Sequence, residues 1–309
     1  MIVSVVICTH NPDRQRLVEV LASLRAQTLA DSKWDLLIVD NASTNGVIAT
    51  IDLSWHPAAR AIVESKLGLT NARLRAIADT TGDPIVFVDD DNVLAPDYLE
   101  QCAQIAARCS WIGAWGGEIV GRFEVAPQHW HERYLPLLAL RTVTAEQWTN
   151  VRHSAPYEPS GAGLVVRRLV AEAYMKKVHM EPWRCRLDRS GINLISGGDH
   201  DLVRCCSLVG LGWGVFPTLR MEHLIPANRL QWPYLMRLVR GIVASNTLLA
   251  LAEGSNVRQT PGWRRAVRVA LLYLRGGRRA VGHYLAEQAG IRDGKRLYQS
   301  QADARRQYE

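Results

Sequence analysis

The sequence predicts an α/β fold built on a mainly parallel, doubly wound sheet with helices on its faces. Three observations carry that prediction. Apolar β-branched runs alternate with segments of helical spacing through the first 90 residues. Each run stops at a short polar stretch. At 309 residues, 48% hydrophobic and 22% charged, the chain is long enough to bury a full core and is not composed like a disordered one.

Ile2 to Cys8 is a continuous β-branched run, as expected of a strand covered on both faces. Asn11 and Pro12 then offer an N-cap and a first-turn proline, with Leu17, Val20, Leu21 and Leu24 at helical spacing behind them. Trp34 to Val39 reads as a second strand, Ala61 to Val63 as a third, and about Thr70 to Ala78 as a helix. Ile85 to Val88 is a fourth strand, running straight into Asp89, Asp90 and Asp91. Trp111 to Val120 and Gly161 to Val166 read as further strands, the first with a break at Gly116 and Gly117. Residues 123 to 160 are aromatic and aperiodic, the pattern of a binding loop or a plain surface loop. A helix is expected from Asp199 to Val209, ended by Gly210, and a short strand from Gly214 to Met221.

Ligands of such sheets gather beyond the carboxyl ends of the strands. Thr9 to Asn11, Asp40 with Asn41, and Asp89 to Asp91 all follow strands directly, so one rim should hold them. Three adjacent carboxylates repel one another, and after an apolar strand they suit a hard divalent cation. The sequence stretches VSVVICTHN, LLIVDNAST, GLTNARLRAI and IVFVDDDNVLAPDYLE, followed by SGAGLVVRR, SGGDHDL and MEHLIPANR, together resemble family 2 glycosyltransferases over about residues 1 to 230.

The resemblance implies the GT-A fold, a Rossmann-like nucleotide-sugar half over 1–122 and an acceptor half over 123–230, ahead of a helical basic extension over 231–309. It implies an inverting glycosyltransferase that moves a sugar from a UDP- or dTDP-type donor to a hydroxyl acceptor, in polysaccharide or glycolipid synthesis. Carried over by position, Thr9, Asn11, Asp40, Arg73, Asp89 and Asp90 fall to the nucleotide sugar, Asp40 accepting from the imide N–H of the base. Asp91, Asp89 and His223 fall to Mn2+ or Mg2+, with Asp91 the direct ligand. Asp199 becomes the general base, and because Gly198 stands where the family usually has an acid, Asp201 shares the candidacy. Trp130, Tyr134 and Trp148 could stack on a saccharide acceptor or pack in the core, whereas His129 and His131 read as loop histidines.

Other chemistries fit less of the chain. A haloacid-dehalogenase-type phosphatase also uses a strand followed by DxD, but opens its fold with that strand, which comes fourth here. A nucleotidyltransferase needs a glycine-rich basic loop after its first strand, and Thr9 to Pro12 is not one. An inactive scaffold would have no need of Asp89, Asp91 and Asp199.

The net charge of +7 lies in the tail. From residue 256 onward twelve arginines and lysines, Arg258, Arg305 and Arg306 among them, face four acids. From Trp263, the residues Val267, Ala270, Leu271 and Leu274 recur at helical spacing beside Arg264, Arg268 and Arg275. That pattern suits either a membrane-surface helix or one docked on the core, and the first would favour a lipid-linked acceptor. No nucleic-acid module is recognisable. The six cysteines have no CxxC spacing and read as buried thiols of a reducing cytoplasm. No run is read as a spanning helix and none as a signal segment, so a cytoplasmic protein, peripheral at the inner face of the membrane, is expected.

Overall fold

The computed structural model describes residues 2–151, 157–189, 194–257 and 261–306, with side chains described as far as residue 300. Arg258 and the side chains of Arg305 and Arg306 therefore lie outside the described residues, as do residues 152–156 of the aromatic segment. The chain divides into two compact units, Met1–Cys185 with Gly198–Ala227, and Arg186–Gly197 with Asn228–Glu309. The segment 186–197, placed in the acceptor half on sequence, thus belongs to the second unit.

The first unit holds nine strands among the described residues: β1 (Val3–Thr9), β2 (Trp34–Asp40), β3 (Ala59–Val63), β4 (Ile85–Val88), β5 (Asn92–Leu94), β6 (Ile112–Phe123), β7 (Gln147–Thr149), β8 (Leu164–Val166) and β9 (Gly212–Ile225). They form one sheet in the order β3-β2-β1-β4-β8-β6-β9-β5, with β7 paired to β9. β3, β2, β1 and β4 pair in parallel; β8 is antiparallel to both β4 and β6, and β6 runs parallel to β9. Six of these strands therefore point one way, which makes the sheet mainly parallel. The helices of this unit are α1 (Arg14–Arg25), α2 (Leu69–Asp79), α3 (Tyr98–Arg108), α4 (Arg168–Met180) and the short α5 (Gly198–Arg204).

The apolar runs fold this way because both faces of the parallel strands are covered. Val5, Ile7, Leu36, Ile38, Val86 and Val88 pack on one side with α1 and α3; Val6, Leu37, Val39, Ile85 and Phe87 pack on the other with α2 and α4. Each such side chain, fully buried, contributes roughly 1.5–3 kcal/mol. Apart from Ser4 and Asp35, which pair with each other at 3.2 Å near the amino ends of β1 and β2, polar side chains in β1, β2 and β4 wait until the apolar run ends, and that end is the rim.

Three local expectations change. The cap of α1 is Asp13, whose carboxylate accepts from the Arg16 amide at 3.0 Å. Asn11 instead takes a left-handed φ of 51° and commits its carboxamide elsewhere, which puts the helix start two residues later. Gly116 and Gly117 do not break β6. The strand runs through them, and β9 carries the irregularity, three extra residues between Phe216 and Arg220. A Cβ on Gly117 would lie 2.0 Å from the Leu219 carbonyl, so the bulge needs the glycine. The aperiodic segment contains a 3-10 helix, His129–Leu138, in which His131 caps the first turn by accepting from the Gln128 amide at 2.8 Å.

The second unit pairs α6 (Trp232–Ala252) with α7 (Gly262–Arg306), the latter interrupted at Gly277. α6 is long and apolar enough to cross a membrane by length and composition, contrary to the expectation that no such run exists; half of that stretch is buried within the fold. Arg237 and Arg240 hide the run from a count of consecutive apolar residues. Gly290 and Gly294 approach α6 so closely that an added Cβ would lie 2.6 Å from the carbonyls of Arg240 and Ala244 respectively.

Candidate active site

The rim at the carboxyl ends of β1, β2 and β4 brings most of the sequence-predicted residues together. Thr9 is level with Asp40, and Ile7 with Val88, in the parallel register. The Thr9 hydroxyl donates to the Asp90 carboxylate, tying the acidic turn to the end of β1. Asp40 accepts from the Ser43 amide at 3.0 Å and remains partly exposed. Asn11 accepts through its side-chain oxygen from the amides of Thr44 (2.7 Å) and Asn45 (3.1 Å), so it shapes the loop beside Asp40. Asn41, expected on the rim but given no role from sequence, is buried and clamps three backbone groups: it donates to the carbonyls of Glu64 and Lys66 and accepts from the Gly68 amide. Gly68 has φ 132° and leads directly into α2, the helix that carries Arg73.

Asp89 to Asp91 make a turn closed by Asn92, whose side-chain oxygen accepts from the Asp89 amide at 3.1 Å and whose amide group donates to Asp91 Oδ1 at 3.1 Å. The chain then enters β5, where Asn92 pairs in register with His223 of β9. Asp91 and His223 are both buried, with Asp91 Oδ2 and His223 Nε2 3.5 Å apart. His223 Nδ1 lies 2.9 Å from the Leu138 carbonyl, a contact that needs a proton on Nδ1. The other ring nitrogen, Nε2, faces the Asp91 carboxylate. A divalent cation fits between two such atoms, and imidazole with carboxylate is a donor set that manganese accepts. Among the described residues no group of three or more His, Cys, Asp or Glu could hold a metal ion. Asp91 and His223 are thus the residues that would hold such an ion, and a two-residue donor set would suit one that also binds water and substrate oxygens.

Asp199 sits in the first turn of α5 and is held from both sides. Its Oδ2 accepts from the Gly161 amide at 2.8 Å and its Oδ1 from the His200 amide at 2.9 Å. A Cβ on Gly161 would lie 2.9 Å from an Arg73 guanidinium nitrogen and 3.2 Å from Asp199 Oδ2, so the glycine lets three groups meet. Arg73 is itself buried, 5.8 Å from the centre of the Phe87 ring of β4. Burial pushes the Asp199 carboxyl up, but His200, Arg73 and the two amides outweigh it and hold the group below the usual carboxylate range.

Behind Asp199 stands a network that sequence reasoning missed. His200 Nδ1 lies 3.2 Å from the buried Glu158, which also pairs with Arg204 at 3.1 Å. Burial alone would lower the imidazole, but Asp199 and Glu158 push it up to about 9. The one signal available was an acid, Glu158, inside an aromatic segment just ahead of Ser160-Gly161.

Two expected residues are placed elsewhere. Asp201 is 1% exposed and committed to Lys177 (2.8 Å) and Arg184 (2.6 Å), so it has no route to an acceptor. Trp148 pairs with Gly214 near the start of β9, six paired positions of β6 from His223 and so about 20 Å away at strand rise. It packs with Trp111 there, at the pole opposite the rim. Trp130 and Tyr134 do lie in the segment that ends at Leu138 beside His223; Trp130 is partly exposed and its ring lies over His131, whereas Tyr134 is core.

Comparison with known proteins identifies the family and the fold. A family profile described as glycosyl transferase family 2 matches residues 4–171. An N-acetylglucosaminyltransferase of Bradyrhizobium elkanii is 35% identical over 102 residues, 31% of this chain and 55% of that protein. The chain spans between 12% and 65% of the length of the curated relatives it matches. Among solved structures, a mannosyltransferase from Pyrobaculum calidifontis in complex with GDP-Man and Mn2+ aligns over 98% of this chain and 75% of its own, with TM-score 0.56 and 17% identity. Staphylococcus aureus TarS 1-349 in complex with UDP-GlcNAc aligns over 98% and 92%, with TM-score 0.53 and 14% identity. These neighbours share the GT-A fold.

Proposed function

We propose that this chain, a member of glycosyl transferase family 2, is a glycosyltransferase that transfers a sugar with inversion from a UDP- or dTDP-type donor to a hydroxyl acceptor. The observation that carries this reading is the joining of Asp40, Asp91 with His223, and Asp199 with Arg73 around the rim of one sheet.

Asp40 presents a carboxylate oxygen to the base. Uracil and thymine offer an imide N–H there, and cytosine offers a lone pair that the carboxylate repels. Asp91 and His223 would hold Mn2+ or Mg2+, which when bound neutralises charge that develops on the departing diphosphate. Arg73 lies close enough to Asp199 to serve the donor phosphates and the base at once. Asp89 and Asp90 complete the turn, Asp90 through Thr9 and Asp89 through Asn92, and so fix the direction in which Asp91 points.

Asp199 accepts the proton of the acceptor hydroxyl as that oxygen attacks the anomeric carbon from the face opposite the nucleotide. The bond from that carbon to the diphosphate oxygen breaks with its electron pair, and the configuration inverts. A carboxylate accepts about four hydrogen bonds and Asp199 uses two on backbone amides, so lone pairs remain for the hydroxyl. Its lowered pKa makes it ionised at neutral pH and a weak base, so the proton moves late, as the leaving group departs. Trp130 offers an apolar ring face for a saccharide acceptor, in keeping with polysaccharide or glycolipid synthesis.

The test is thermal stabilisation by a panel of UDP-, dTDP-, GDP- and ADP-sugars, with manganese or with chelator. A ligand at about 100 times its Kd stabilises by about 2.7 kcal/mol. Uridine or deoxythymidine donors should stabilise the protein with manganese and lose most of that effect with chelator or in Asp91→Ala. A guanosine preference would reject the assignment of the base site, and stabilisation indifferent to the metal and to Asp91 would reject the cation site.

A further inference from the structure

The first segment of α7 turns its most apolar side outward. Trp263 (67%), Val267 (53%), Leu271 (47%) and Leu274 (81%) are exposed, and at 100° per residue they form one stripe with Ala270. Arg264, Arg268 and Arg275 line one edge of that stripe. The partly buried positions are Arg265, Val269 and Leu272, on the opposite side. A helix kept only for packing would bury tryptophan and leucines and leave arginine in water. Gly277, at φ 63° and ψ −159°, ends the segment in a conformation reserved for glycine and sets it apart from residues 278 onward.

We infer that the exposed face of residues 262–276 docks on an anionic lipid bilayer. Residues 262–279 carry six arginines, Arg264, Arg265, Arg268, Arg275, Arg278 and Arg279, and no acid. That charge complements a leaflet of anionic headgroups, while the stripe enters the boundary of the acyl chains and Trp263 takes the interfacial position that indole favours. A second copy of the chain is a poor occupant, because pairing this face with itself sets arginines against arginines. A nucleic acid would use the arginines but leave the stripe of four large apolar side chains in water. The surface belongs to the second unit and stands independently of the donor and acceptor readings.

The experiment is sedimentation of the full chain with vesicles of phosphatidylcholine alone and of phosphatidylcholine mixed with phosphatidylglycerol. The chain should partition to the mixed vesicles, and Leu274→Glu or the pair Arg264→Glu with Arg268→Glu should reduce partitioning about tenfold, as should added salt for the wild type. Circular dichroism and donor binding serve as controls for folding. As a second readout, lipids with brominated chains should quench tryptophan emission, and Trp263→Phe, which keeps the apolar contact, should lose that quenching while still sedimenting. Equal partitioning of wild type and charge variants, or equal partitioning to both vesicle types, would overturn the inference. So would a dimer in sedimentation velocity that Leu274→Glu dissolves while vesicle binding is absent.

Discussion

Two regions of the first unit each join an aspartate to a histidine, and they do so with opposite electrostatics. Where β5 meets β9, the carboxylate of Asp91 faces the Nε2 of a histidine whose other nitrogen is spent on a carbonyl. At the start of α5, Asp199 adjoins a histidine that sits between two carboxylates and is pushed up to about 9. The first pair, 3.5 Å apart, is the one proposed to hold a cation. The second already holds its cations, as His200 and Arg73. What differs is the hydrogen-bond partner of the ring: a backbone carbonyl in one case, Glu158 in the other. A histidine near an acid is therefore not a metal site by composition; the third group decides.

The contrast can be broken at four points. The largest expected effect is on Asp199→Asn, which keeps the shape of the side chain and removes the base. Turnover should fall by about 10³-fold, within the usual range for a lost general base, with donor affinity nearly unchanged by calorimetry. Substantial retained turnover would move the base elsewhere. Next is Asp201→Ala, two residues on, which leaves Lys177 and Arg184 without their shared carboxylate. Breaking a buried pair costs about 3–5 kcal/mol, and with Lys177 a fifth exposed the lower end is expected. Denaturant titration should find that loss with turnover per folded molecule preserved; a catalytic defect without a stability defect would reverse the roles of the two aspartates.

His223→Ala should weaken donor binding by about 30-fold, or about 2 kcal/mol, in manganese and have little effect in chelator. An equal loss in both conditions would make the histidine structural. The smallest effect is on His200→Gln. Because the folded imidazole titrates near 9 and the unfolded one near 6.5, its stabilisation is fully present below about pH 6.5 and is lost as pH rises through about 9. The ring is about a third exposed, so solvent screens the ion pair and the loss is of the order of 1 kcal/mol. Unfolding midpoints of the wild type should decline over that window and those of the variant should not. Asp199 and Glu158, both held low chiefly by His200, add stability that is present above the ordinary carboxylate range and lost on acidification, so the acid limb should shrink in the variant to the part that Arg73, Arg204 and the backbone amides sustain.

The parallel half of the sheet was legible because strands buried on both faces advertise themselves as unbroken β-branched runs, and their polar ends then mark the rim. The residues that follow those runs, Thr9, Asp40 and Asp89 to Asp91, lie where the spacing puts them. β5 and β7 were not legible. Each is three residues long and owes its existence to β9, more than sixty positions later. The Glu158 network was hidden for the same reason, since nothing in the local pattern joins an acid of the aromatic segment to α5. Asp199 and Asp201 could not be ranked from sequence, because two positions on a helix differ by about 200° in direction and only the neighbours tell which one looks inward. Trp148 failed as an acceptor contact because its strand pairs at the far end of β9.

β5 also has a thermodynamic consequence. It is a three-residue strand at the edge of the sheet, and in the turn that leads into it the carbonyls of Asp89 and Asp91 accept from the amides of Asn92 and of Leu224 in β9 respectively. Such an edge opens at little cost, and its amides should exchange with deuterated solvent early. An ion that bridges Asp91 and His223 would join the two strands across the position where they pair, so its occupancy and the closure of that edge are linked functions. The same link runs backward: a protein whose edge is frayed binds the ion less well. Deuterium uptake at residues 89–94 and 222–225, followed as manganese is added, would therefore measure the affinity of the site without any turnover.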